Sequence, residues 1–216
     1  MHIESARSAY IEGMVARQES LGGSGSAAPP EFTTAVARLR AARFRPEVFC
    51  EEMPAPQRIA PHATALSADV TVDDEEVATG RLVVLHDPAG NDAWEGTFRC
   101  VAYCRAEIDA ALATDPMLTD VGWTWLIESL EAHGAEHVAA SGTVTRVATD
   151  SYGAMADEPG TAQLEIRASW TPVDPGDLAA HAEAWGELLC TAGGLEPVPE
   201  GVAVIPSRRG QRGFTP

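Results

Sequence analysis

Lysine is absent from this sequence: all 15 basic residues among 216 are arginine. That excludes a catalytic lysine, a Schiff-base enzyme and a Gly-x-x-x-x-Gly-Lys phosphate loop. The four cysteines, Cys50, Cys100, Cys104 and Cys190, include no Cys-x-x-Cys pair, so neither a zinc ribbon nor a redox dithiol is indicated. Cys100 and Cys104 lie four apart on an expected strand and point the same way, but stand roughly 13 Å apart at about 3.3 Å per residue. They read as small buried hydrophobes. No apolar run approaches the roughly 18 residues of a membrane span, and the longest strand-like one is Leu82 to Leu85. The first residues lack an apolar stretch followed by a cleavage site, which sets the expectation of a cytoplasmic protein.

What is abundant is acid. Thirty-two Asp and Glu give a net charge of −17, which argues against nucleic acid as a partner. The charge is uneven: residues 1–45 hold six Arg and four acids, residues 206–216 hold three Arg, and the stretch between holds six Arg against 28 acids. Length and composition suggest one domain over residues 31–196. Residues 1–30, ending in Gly-Gly-Ser-Gly-Ser-Ala-Ala-Pro-Pro, read as a flexible extension, and 197–216 as a Pro/Gly/Arg-rich tail with little apolar periodicity.

Within that domain the apolar spacing predicts elements. Phe32, Ala35, Val36, Leu39 and Ala42 form a helical stripe. Glu47 to Met53 reads as an optional short edge strand before the Pro-rich stretch Pro54 to Pro61. Leu66, Ala68, Val70 and Val72 alternate with polar residues, and the acidic run Asp73 to Glu76 turns the chain into a second strand, Val77 to His86. A hairpin turn is expected at Asp87-Pro88-Ala89-Gly90. Trp94 to Ile108 and Ala162 to Thr171 alternate in the same way. Between them a helix is expected from Pro116, capped by Asp115, to about Gly134. A last helix follows Asp174-Pro175-Gly176-Asp177 and stops at Gly193-Gly194. The fold class is therefore α+β: an antiparallel sheet of five to six strands with helices on one face, in the order α-β-β-β-α-β-β-α. That order is similar to type III secretion chaperones, a likeness of topology alone.

Two surfaces are candidates for binding. The middle helix carries Leu118, Val121, Trp123, Trp125, Leu126, Ile127 and Leu130, an arc wide enough to need two neighbours, either a helix of the same chain or a second subunit. The polar sheet face presents Arg99, Arg105 and Arg167 among Glu95, Glu107 and Glu165, either as cross-strand pairs or as a ligand platform. Arg146 and Tyr152 stand in a long polar connection, Thr143 to Pro159, read as an extended hairpin tip or a functional loop. The candidate binding residues are thus Arg99, Arg105, Arg167, Trp125, Arg146 and Tyr152, with no catalytic set and no metal ligands in the leading reading.

Other features admit two readings each. His133-Gly134-Ala135-Glu136-His137 matches His-x-x-Glu-His, in which one helix presents two histidines to zinc and the glutamate acts as base. Gly134, however, stands where a helix C-cap is expected, which favours a helix-to-strand turn. His86-Asp87 is either a base held by a carboxylate or a turn in which Asp87 accepts from local backbone N–H groups. His181 lies on the apolar stripe of the last helix as a core histidine. Arg38, Arg40, Arg43 and Arg45 form a basic spot that either pairs with nearby carboxylates or docks an acidic partner.

Several blocks carry a family resemblance: Leu39 to Pro46 (LRAARFRP), Ala55 to Ala60 (APQRIA), Ala78 to Arg99 (ATGRLVVLHDPAGNDAWEGTFR), Asp115 to Leu126 (DPMLTDVGWTWL) and Ser141 to Pro159. Over about residues 31–205 the chain resembles an actinobacterial family known as domain of unknown function 3000. The resemblance implies no activity, cofactor or catalytic residue. The leading expectation is a non-enzymatic cytoplasmic binding or chaperone-like adaptor, homodimeric or bound to another protein, with no cofactor. The alternatives are a zinc hydrolase using His133, Glu136 and His137, and a small-molecule or haem-binding protein.

Overall fold

In the computed structural model, residues 28–197 are described. The N-terminal extension and the C-terminal tail therefore lie outside the described residues, apart from residues 28–30 and Pro197. Helix α1 (Pro30–Leu39) begins with Pro30, whose fixed φ suits the first helical turn, and buries Phe32, Ala35 and Leu39. It ends at Leu39, before Ala42, the last residue of the expected helical stripe, because Ala41 and Ala42 turn back onto Arg38 O and Leu39 O.

Six strands follow: β1 (Val48–Met53), β2 (His62–Val72), β3 (Glu75–Asn91), β4 (Gly96–Ile108), β5 (His137–Thr149) and β6 (Thr161–Pro172). They form one antiparallel sheet in the order β1-β2-β3-β4-β6-β5. The α+β class, the helix cover and the element order are those expected from the sequence, and the optional strand is β1. Asp73 and Asp74 both adopt positive φ (51° and 66°) between β2 and β3, the backbone that a two-residue hairpin turn with the sheet's twist requires. The next hairpin differs from expectation. Asp87 to Gly90 do not turn the chain; they make an irregularity inside β3, and the turn comes at residues 92–95, between the paired Asn91 and Gly96. Pro88 has no N–H to give a ladder, so the stretch interrupts pairing without reversing the chain.

Helices α2 (Leu118–Ala132) and α3 (Leu178–Ala192) cover one face of the sheet with α1. Asp115 accepts from Met117 N–H at 2.8 Å, as a capping turn at the expected place, but the helix proper starts at Leu118, two residues after the expected Pro116. Both helices end alike. Gly134 and Gly194 take positive φ, while Ala135 N–H and Leu195 N–H reach back to Leu130 O and Cys190 O.

Helix α3 is the hub, with Leu178, Ala182, Trp185, Leu188 and Leu189 fully buried. It presses so closely on the sheet that a Cβ on Gly80 of β3 would meet Leu189 at 2.6 Å. The strand residues beneath the helices, among them Leu66, Leu82, Val84, Cys100, Cys104, Leu164, Ile166 and Trp170, are the alternating apolar set of the sequence. All four cysteines are buried and free, and burial pushes each thiol up to about 12, so none is poised as a nucleophile. Trp170 Nε1–H donates to Nδ1 of the buried His181 at 3.0 Å, which puts the proton of the neutral imidazole on Nε2. Burial, then the charge of His137, lowers the His181 pKa to about 4.

The wide apolar arc of α2 finds both its neighbours within the chain. It packs on α3 and on β5, burying Leu118, Gly122, Leu126, Ser129 and Leu130. Trp123 and Trp125 are half-buried and Val121 is exposed.

Candidate functional site

A depression lies where the chain leaves α1 and crosses the C-terminal half of α3. Phe44 packs edge-on against Trp185, with ring centres 6.4 Å apart, in a notch left by Gly186; a Cβ there would come within 2.6 Å of the Phe44 ring. Between this crossing and the outer flank of α2 opens a groove of about 540 Å³, lined by Arg43, Phe44, Arg45, Trp125, Glu128, Ser129, Ala132, His133, Glu187, Thr191 and Pro197. Its floor is apolar and aromatic and its rim carries both signs of charge, a lining suited to an amphipathic segment. Arg45 is held by Glu47 and Glu187 at 3.5 and 3.6 Å and donates to Glu196 O at 2.9 Å. Arg40 pairs with Glu52. Arg43 donates its backbone N–H to Glu183 at 2.8 Å, while its guanidinium makes no ion pair among the described residues. Two of the four arginines of the basic spot, Arg40 and Arg45, are thus paired locally, while Arg38 and Arg43 make no ion pair among the described residues and Arg43 lies at the rim.

The His-x-x-Glu-His stretch is not on one helix. His133 is the C-cap of α2, its Nδ1–H donating to Ser129 O at 2.9 Å, and it lines the groove beside Trp125. His137 opens β5, donates from Nδ1 to Ala135 O at 3.0 Å, and faces a different depression with Glu136 and Val173. The left-handed turn at Gly134 separates the two, so the helical spacing that would aim both at one ion does not arise.

Asp87 accepts from Ala89 N–H at 3.0 Å, the local turn contact expected of it. His86 is fully buried, stacked on Phe98 at 4.1 Å, with Nδ1–H donating to Thr97 O at 3.1 Å. The exposed Glu31 carboxylate comes within 3.0 Å of Nε2 but off the hydrogen-bonding direction. Among the described residues no hydroxyl or thiol is hydrogen-bonded to an imidazole.

No helix among the described residues covers the other face of the sheet, and the three arginines expected there part company. Arg99 is buried, at 6% exposure, and is no ligand platform. Its guanidinium donates to Ala139 O at 2.9 Å, Thr171 Oγ1 at 3.1 Å, Ser141 Oγ at 3.2 Å, and Ser169 Oγ and O at 2.7 and 3.2 Å. The register of β5 against β6 slips between Val138 and Ser141, and Ala139 takes φ +52° there. Arg99 therefore clamps a β-bulge, reaching from β4 past β6 to a carbonyl that the bulge has turned away from the ladder. The displaced hairpin tip covers it from outside, with Thr171 Oγ1–H donating to Trp94 O. Desolvation lowers the Arg99 pKa, but an arginine stays charged, so this is a buried cation satisfied by neutral acceptors.

Arg105 donates from Nε to Gln163 Oε1 at 3.1 Å, and Arg167 pairs with Glu165 at 2.7 Å while lying 5.3 Å from the centre of the Tyr103 ring. The pairing register sets Arg167, Tyr103 and Arg81 in one row across β6, β4 and β3, beside a shallow depression of about 420 Å³ floored by Val83 and Val101. Arg105–Gln163 and Arg167–Tyr103 thus meet across strands, whereas the ion pair of Arg167 with Glu165 runs along β6. Arg146 lies on β5 and gives its guanidinium to Asp115 O, and Tyr152, 81% exposed, stands in the connection to β6. The structure thus gathers Arg105 and Arg167 on one face and places Trp125 on the other side of the sheet with Arg43 and Phe44.

The sequence profile of the family described as Protein of unknown function (DUF3000) matches residues 28–203. The chain belongs to this family. The matched region takes in every element from α1 to α3, both faces of the sheet and the groove beside Trp125. No curated protein and no solved structure matches the chain.

Sequence reasoning missed two parts of this DUF3000 site. Phe44 and Gly186 lie 142 positions apart, and only the path of the chain over α3 brings them into contact. Tyr103 alternates onto the wet face with the arginines, but its place in the Arg167 row depends on register. A signal for the groove was present in the aromatic Phe44 between two arginines, since a large apolar residue inside a basic run has to be buried against something.

Proposed function

We propose that this protein is a non-enzymatic cytoplasmic adaptor, chaperone-like in action, that works as a homodimer and takes an amphipathic segment of a partner protein into the groove beside Trp125. The groove itself carries the reading: about 540 Å³ of apolar-floored space with a half-buried tryptophan and, on the rim, Arg43, whose guanidinium has no ion pair among the described residues. Tryptophan and arginine are the residue types that dominate binding energy at protein interfaces. The acidic body repels other acidic surfaces and favours a partner segment with basic flanks for Glu128 and Glu187.

The test is site-specific photo-cross-linking from Glu128 in the host cell, with Trp125→Ala and Arg43→Glu as companions. The reading expects one defined adduct that both substitutions diminish. An adduct pattern indistinguishable from that of a probe at the remote position Asp74, or one indifferent to Trp125→Ala, overturns it.

A further inference from the structure

The two edges of the sheet are built differently, and we infer that the β5 edge is where a second copy of this chain docks, strand against strand about a two-fold axis. This rests on the homodimer proposed above and names its surface. Strand β1 is six residues long, carries Glu51 and Glu52, and is followed at once by Pro54, so it has the charges and the proline that keep an edge from pairing. Strand β5 has thirteen residues with no Asp, Glu or Pro. Its one basic residue after His137, Arg146, is turned to Asp115 O of its own chain and does not guard the edge. Beyond the bulge, Ser141 to Thr149 pair with β6 in unbroken register, which leaves alternate backbone N–H and C=O groups of nine residues pointing outward.

Six of the eleven exposed large hydrophobic side chains among the described residues lie on or next to this strand. Val138 and Val147 in β5, Met117 and Val121 at the start of the helix packed on it, and Tyr152 and Met155 in the connection that follows are all exposed. On a chain of net charge −17, two copies approach most readily where acid is missing, and β5 is such a strip. A second copy also matches the edge by symmetry, since an antiparallel strand pairs with itself. Centring the axis on Thr145 pairs Ser141 with Thr149 of the second copy, uses all nine residues and sets each Arg146 opposite Val144 instead of opposite its twin. The result is a continuous twelve-stranded sheet in which two bare faces become one surface.

The experiment uses the full chain in analytical ultracentrifugation, with two β5 variants. The wild type is expected to sediment as a dimer. Thr145→Lys/Val147→Lys, which places like charges across the axis on an exposed face, is expected to weaken the dimer about tenfold or more with unchanged circular dichroism. Thr145→Cys is expected to form a disulfide-linked dimer under mild oxidation, whereas Thr143→Cys, which faces Val147, does not; this second readout needs no weakened fold. Glu51→Lys on the opposite edge is expected to leave the dimer intact. A wild-type monomer at 100 times the concentration used for the variants overturns both the edge and the homodimer. A dimer that persists in the double lysine variant, or a Thr145→Cys protein that stays unlinked, overturns the edge alone.

Discussion

The two faces of the sheet share the same strands yet are held by different forces. On the covered face the side chains of β2, β3, β4 and β6 meet α3 in an apolar layer that includes Trp170, Trp185 and four inert thiols. On the bare face the same strands turn out Arg81, Tyr103, Arg105 and Arg167, and the one buried charged side chain among the described residues of that face is Arg99. One face is stabilised by area removed from water and the other by satisfying polar groups locally. Alternation of period two makes both from one stretch of sequence, so a substitution one residue along a strand tests a different physics.

The largest expected effect is on the covered face. Trp185→Ala should destabilise the fold by about 3–5 kcal/mol, because it removes a fully buried indole, the wall against which Phe44 packs and the donor to Tyr103 O; chemical denaturation measures it. His181 gives the pH dependence of the same layer. Its folded pKa of about 4 lies below the ordinary 6.5, so the unfolded chain binds its proton first. The contribution of this group is full above pH 6.5 and is lost as pH falls from there towards 4, on the order of 3 kcal/mol in all. Stability measured across that range should fall less steeply in His181→Gln than in the wild type, and equal slopes would contradict the assignment.

On the bare face the expected costs are smaller and local. Arg99→Met should cost about 2 kcal/mol, since it strips partners from Ala139 O and from Ser169 O and leaves them poorly solvated. Hydrogen exchange should quicken around residues 137–141 before it does in β2 or β3. Gly186→Ala returns to the covered side with about 1–3 kcal/mol, the overpacking cost of a methyl group driven against Phe44, and should weaken partner binding at the groove as Phe44 shifts. Arg167→Ala, an exposed pair with Glu165, should change stability by less than about 0.5 kcal/mol. A change as large as that of Arg99→Met would mean that the bare face is bonded as a unit.

Much of this was legible in the chain. The alternating residues of β4 and β6 determined which side chains form the core, because a strand has no other way to bury every second residue. Gly134 marked the end of α2, and thereby the splitting of His133 from His137, since a left-handed cap cannot continue a helix. Where local rules failed, the cause was a competing long-range contact. Asp87 to Gly90 has turn chemistry, yet the ladder resumes after it because Trp94 and Thr171 are drawn together over Arg99.

The sequence by itself therefore determined the acidic body through its composition, and the α+β class, the glycine-marked ends of α2 and α3 and the division of each strand into a wet and a dry side through periodicity and the backbone preferences of Gly and Pro. Only the tertiary structure decided that Arg99 is a buried clamp while Arg105 and Arg167 stay on the face away from the helices, that Phe44 and Trp125 wall one groove, and that the outer strand is β5 instead of β6. Those outcomes depend on strand order and register, and order and register are settled by contacts between residues far apart in the chain, where no local pattern records them.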